Sequence, residues 1–84
     1  MITTVQYLTY YLTKDGYKIN IDDEYVTQYR KDRKIINYYP ENDSIELRYI
    51  VNENEKSNTI TLNRAWVDED IEDGFSYLAT IGNS

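Results

Sequence analysis

The sequence predicts a mainly β domain: a small antiparallel sheet of five to seven short strands with one or two short helices. Two observations point there. Apolar and polar residues alternate with a period of two in several short runs rich in β-branched and aromatic residues, and turn-forming residues separate those runs. The 84 residues fit one domain, 1–84, with no internal repeat or low-complexity linker. A chain of this length buries only about 60 to 65% of its unfolded surface, so the core is small.

Val5 to Leu12 is followed by Lys14, Asp15 and Gly16 and then by Tyr17 to Asp22. In the second run Tyr17, Ile19 and Ile21 alternate with Lys18, Asn20 and Asp22, and Asp15-Gly16 is a hairpin turn signal, so the two runs are expected to pair as a first hairpin. Asp22 to Tyr39 admits two readings. As a helix near 22–38 (an α+β alternative) it would start on Asp22, Asp23 and Glu24 and end on Arg30, Lys31, Arg33 and Lys34, matching the helix dipole. As a hairpin, Tyr25 to Arg30 would pair with Arg33 to Tyr39 across Lys31-Asp32, and the β-branched and aromatic content favours this.

Pro40 to Asp43 reads as a loop, since proline and the Asn and Asp that follow stop either pattern. Ile45, Leu47, Tyr49 and Val51 then alternate with Glu46, Arg48, Ile50 and Asn52, and Ile60, Leu62 and Arg64 with Thr59, Thr61 and Asn63, giving a second hairpin across the polar stretch Asn52 to Asn58. Val67 and Ile71 are four apart and predict one or two helical turns ended by Gly74. Phe75, Tyr77, Ala79 and Ile81 alternate with Ser76, Leu78 and Thr80 as an expected final strand.

Composition argues against catalysis. The chain has no histidine and no cysteine, which removes the commonest general base, the strongest nucleophile and the usual zinc ligands. Its three glycines form no phosphate-binding loop, and no cofactor is implied. Asp68, Asp70 and Glu72 ahead of Gly74 resemble the start of a calcium loop, but the glycine falls one residue late and Ala79 or Thr80 stands where the distal glutamate belongs, so no metal site is expected. No apolar run is long enough to span a membrane and the first thirteen residues lack a basic region, so a soluble cytoplasmic protein is expected.

Binding features remain. Ten tyrosines accompany one phenylalanine and one tryptophan, and tyrosine is common at interfaces because it joins an apolar ring to a polar tip. Acid is concentrated late in the chain. Asp68, Glu69, Asp70, Glu72 and Asp73 carry −5 of the net −6, while the first 64 residues hold ten acids against nine bases. On a strand Asp68, Asp70 and Glu72 would form a row of charge at a spacing comparable to successive phosphates; on a helix they would form a denser cluster. Either would suit a protein partner with a basic surface, with Trp66, Phe75 and Tyr77 as nearby anchors. The run Arg30, Lys31, Arg33 and Lys34, with Tyr29, Tyr38 and Tyr39 as stacking platforms, offers an alternative as a single-stranded nucleic-acid binder, which the net charge opposes. Self-association through strand edges is a third course.

In size, charge and composition this acidic, cysteine-free chain rich in Tyr, Asn and Ile resembles the small proteins that phages encode against host defence or DNA-processing enzymes, such as anti-CRISPR proteins and uracil-DNA glycosylase inhibitors. The resemblance implies a stoichiometric, non-catalytic inhibitor that occludes a basic nucleic-acid site. It carries over no residue role.

Overall fold

A computed structural model describes residues 3–51, 57–62 and 68–82. The chain runs α1 (Thr4–Lys14), β1 (Lys18–Asp22), β2 (Thr27–Lys31), β3 (Lys34–Tyr39), β4 (Ser44–Ile50), β5 (Ser57–Leu62) and α2 (Asp68–Gly82). The five strands form one antiparallel meander in sequence order, and both helices lie on one of its faces. The expected small antiparallel domain with two helices is what the chain forms, and Asp22 to Tyr39 is a hairpin, not a helix.

The first expected strand is the helix α1. Thr3 and Gln6 make a reciprocal capping box: the Gln6 amide donates to Thr3 Oγ1 (3.1 Å) and the Thr3 amide donates to Gln6 Oε1 (3.0 Å). Leu8 and Leu12, one helical turn apart, are fully buried on the sheet, with Val5 packed beside them. Each of the two leucines contributes roughly 1.5–3 kcal/mol by leaving water, more than the weak β preference of the neighbouring tyrosines and threonines costs. Asp15-Gly16 therefore ends a helix instead of turning a hairpin. Gly16 takes φ +100, its amide donates to the Thr13 carbonyl and the Tyr17 amide donates to the Leu12 carbonyl, the pairing of a Schellman motif.

The expected final strand is also helical, and Gly74 does not stop it. Ile71, Gly74, Phe75 and Leu78 fall at i, i+3, i+4 and i+7 and are all buried, so the helical period wins over the alternation read from Phe75 to Ile81. Gly74 is needed for contact: a Cβ there would lie 2.5 Å from Leu47 Cδ1. The β2–β3 turn is Asp32-Arg33, one residue later than expected, with Lys31 paired to Lys34 and Asp32 at φ +53.

In-register rows run across the sheet. Tyr29, Ile36, Leu47 and Ile60 form one row beneath the helices, and Thr27, Tyr38, Ile45 and Leu62 form the next. The fully buried Tyr29 shares a 2.7 Å hydrogen bond between its hydroxyl and Thr9 Oγ1, so burial costs it no partner. The other face is polar. Asn20 Nδ2 donates to Gln28 Oε1 (2.6 Å), Gln28 Nε2 to Asn37 Oδ1 (2.8 Å), Asn37 Nδ2 to Glu46 Oε1 (2.9 Å) and Arg48 Nε to the same oxygen (2.8 Å). This ladder crosses four strands and accounts for the buried Asn37 on an otherwise solvent-facing surface. No helix among the described residues is long and apolar enough to cross a membrane.

Candidate functional site: a cleft between the two helices

The helices lie toward opposite edges of the sheet, α1 against β1 and β2, α2 against β4 and β5. Between them opens a cleft of about 380 Å³. Tyr11, Leu12 and Asp15 of the first helical segment form one wall, Glu72, Phe75, Ser76 and Ala79 of α2 the other, and Tyr17, Lys34 and Tyr49 the floor. Tyr11 and Glu72 span it, the hydroxyl donating to Oε1 at 3.5 Å.

The aromatic wall extends to the surface along α1. The rings of Tyr7 and Tyr11 stack with centroids 6.3 Å apart, and Tyr10, 69% exposed, lies under the Lys14 ammonium. Tyr7, Tyr10, Tyr11 and Lys14 fall on one flank because they recur at three and four residues. This tyrosine ridge was missed in the sequence because Val5 to Leu12 read as a strand, which would have divided these rings between two faces. The signal that could have found it is the Thr3…Gln6 capping box ahead of Val5, Leu8 and Leu12.

On the opposite wall the acids start a helix. Glu69, Glu72 and Asp73 recur at three and four residues and share the solvent-facing side of α2, while Asp70 is half-buried. A strand-like row does not form at Asp70 and Glu72, because a helix turns residues two apart about 200° from one another; Glu69, Glu72 and Asp73 make a denser cluster instead. Carboxylates in these first turns also complement the positive end of the helix dipole. The calcium-loop pattern likewise falls on regular helix, not on a loop. Tyr77, one turn after Asp73, is 58% exposed, and Phe75 is buried under Lys34, whose ammonium lies 5.5 Å from the ring centroid. Trp66 lies outside the described residues.

The basic run is split by its hairpin. Lys31 and Lys34 point to the helical side: Lys31 Nζ donates to the Asp15 carbonyl (2.7 Å), lies 3.9 Å from the Asp15 carboxylate and covers the Tyr17 ring. Arg30 faces the open side and Arg33 sits in the turn. Tyr29 and Tyr38 are core residues beneath the helices and cannot stack on bases, and Tyr39 is half-buried, which removes the platforms expected for a nucleic-acid binder.

Charge is nevertheless segregated. All the described lysines and arginines lie from the Tyr29–Ile36–Leu47 row toward the β2–β3 turn, accompanied there by Asp15 and Asp32. At the other end of the sheet Asp22 ends β1 and Asp23 and Glu24 follow it, and Glu41 and Asp43 follow β3. The first turn of α2 lies toward that acidic end, because Gly74 already meets Leu47 in mid-sheet and Phe75, Ser76 and Ala79 line the cleft above Lys34 and Tyr49.

Burial raises the hydroxyl pKa of Tyr17 strongly, and the nearby charges of Asp15 and Glu72 add to it; Tyr29, Tyr38 and Tyr39 are raised by burial first as well. The cleft thus presents phenol rings, a carboxylate on each wall in Asp15 and Glu72, and the Lys34 ammonium on its floor, a set suited to hydrogen bonding and aromatic contact. Comparison of the chain with protein-family models, with curated proteins and with solved structures finds no match.

Proposed function

We propose that this protein is a non-catalytic inhibitor of the kind phages and other mobile elements encode, binding a nucleic-acid-processing protein and occluding its basic site. The single observation that carries this reading is the meeting of Tyr11 and Glu72 across the cleft. It sets the acidic side of α2 beside the tyrosine ridge of α1, so that carboxylates and exposed aromatic rings share one surface. Lysine and arginine side chains find both of their preferred contacts there, a carboxylate for the charge and a ring face for the stem or guanidinium. Glu69, Glu72 and Asp73 supply the charge that speeds encounter, and Tyr10 and Tyr77 supply the exposed rings that act as anchors. Lys34, on the floor over Phe75, repels a cation from the depth of the cleft, so a basic partner engages its rim. The absence of histidine and cysteine supports binding over chemistry.

The test is affinity capture by the tagged chain from nuclease-treated bacterial lysate, eluted with rising salt, beside the variant Glu69→Gln/Glu72→Gln/Asp73→Asn. A nucleic-acid-binding protein is expected to bind the native chain, to leave as salt rises and to be lost, about tenfold or more, by the neutralised variant. Equal retention by the variant overturns the role of the acidic face, and Tyr10→Ala separately reports on the ridge.

A further inference from the structure

Two polar groups in the depth of the cleft lack the partners that their burial calls for. Tyr17 is only 5% exposed and lies under Lys31, yet its hydroxyl, which opens on the cleft, makes no hydrogen bond among the described residues. The other buried tyrosines differ: Tyr29 bonds to Thr9 and Tyr38 to Asp43. Lys34 is the second group. It is half-buried on the floor beside Tyr49, its register partner on β4, and rests on the Phe75 ring. It pairs with no carboxylate among the described residues, in a chain of fifteen acids, whereas Lys31 lies beside Asp15.

The charges of the cleft are arranged, not mixed. Asp15 and Glu72 stand on opposite walls and Lys34 on the floor. Both acids act on the Tyr17 hydroxyl and help to raise its pKa, so that oxygen lies in a negative field. A ligand bearing only a cation meets Lys34 as a repulsion, and one bearing only an anion meets the two acids. A zwitterion satisfies both. Glu72 has room for it, since its hydrogen bond from Tyr11 is long at 3.5 Å. Between the charges the lining is apolar and aromatic, with Leu12, Ile71 and Ala79 beside the rings of Tyr11 and Tyr49. The volume of about 380 Å³ is at the small end of ligand pockets, which limits the occupant to about one amino acid in size.

We propose that the cleft binds a free aromatic α-amino acid, its carboxylate on the Lys34 ammonium, its own ammonium against Glu72 and Asp15 and within reach of the Tyr17 hydroxyl, and its ring against Tyr11 and Tyr49. A residue inside a polypeptide carries neither charge on its backbone and a chain end carries one, so the two charges together select the free molecule. Charge-assisted hydrogen bonds hold its two ends and stacking holds its side chain. The site lies below the rim that a basic protein partner would use, so it stands independently of the inhibitor reading.

The test is an amide-resolved NMR titration of the purified chain with L-phenylalanine, phenethylamine, which lacks the carboxylate, and phenylpropionate, which lacks the ammonium. L-Phenylalanine is expected to saturate with a dissociation constant below about 1 mM, shifting Leu12, Tyr17, Tyr49 and Ala79, and each analogue to bind about tenfold more weakly. Lys34→Met is expected to abolish the preference over phenethylamine alone, and Glu72→Gln to reduce the preference over phenylpropionate alone, each with an unchanged circular dichroism spectrum. Tyr17→Phe keeps the ring and is expected to weaken L-phenylalanine several-fold. No saturable binding by the native chain, an analogue that binds as tightly as the amino acid, or preferences that persist unchanged in Lys34→Met and Glu72→Gln overturns the proposal.

Discussion

Four tyrosines show how single residues set the chain's response to pH. The hydroxyls of Tyr17, Tyr29, Tyr38 and Tyr39 are all raised above the ordinary tyrosine value, with burial the largest cause in each. In the unfolded chain they ionise near the ordinary value of about 10. The folded state then keeps protons that the unfolded state gives up, so their contribution to stability is complete below about pH 10 and is lost as pH rises beyond it toward the folded values. Urea midpoints are expected to fall steeply between about pH 9 and about pH 11, with the phenolate absorbance of these rings appearing together with unfolding. A midpoint that holds across that range would count against their burial. Ten tyrosines were legible as a wet, aromatic chain, but which of them are core and which are surface was not. Tyr29 and Tyr38, candidate platforms for bases on the sequence alone, are core, whereas Tyr7 and Tyr10, to which the sequence assigned no role, are exposed on one flank of α1. A tyrosine's chemistry is the same in both settings, and only its neighbours decide.

At the scale of elements, helix α2 depends on one close approach. Gly74 brings its backbone against Leu47, where a Cβ would stand 2.5 Å from Cδ1 of a fully buried side chain. Alanine there gains up to about 1 kcal/mol of helix propensity, but the crowding of a packed site costs about 1–3 kcal/mol. Gly74→Ala is therefore expected to lower stability by about 1–2 kcal/mol, and Leu47→Ala to be less harmful in that variant than in the native chain. A double-mutant cycle in chemical denaturation checks the coupling, and strict additivity would refute it. The same glycine explains why α2 was misread. Glycine after an acidic turn commonly ends a helix, and Phe75 to Ile81 alternates as strands do, yet burial at 71, 74, 75 and 78 follows the helical period. The inner strands were legible because their alternation has one face that must be buried, and β2 to β4 place Tyr29, Ile36, Tyr38, Ile45 and Leu47 there.

For the whole molecule, segregation of charge is the main electrostatic fact. The chain is at −6, with Glu69, Glu72 and Asp73 crowded on one side of α2, and the described bases gather toward the β2–β3 turn, away from Asp22, Asp23, Glu24, Glu41 and Asp43. Like charges at i, i+3 and i, i+4 repel, and added salt screens them. The melting temperature is expected to rise by a few degrees from low salt to about 0.5 M salt, and to rise less in Glu69→Gln/Glu72→Gln/Asp73→Asn. An unchanged salt slope in that variant would show that the cluster is not the source of the strain. By itself the sequence determined the class of the fold and a net charge unsuited to phosphate, because alternation, turn residues and charge are local or additive properties, and it left Asp22 to Tyr39 open between helix and hairpin. The tertiary structure alone decided that α1 and α2 are helices and that the tyrosines of α1 face the acids of α2. Those outcomes depend on burial against residues far away in the chain, where the free energy of covering Leu8, Leu12, Phe75 and Leu78 exceeds the small local preferences that pointed to strands.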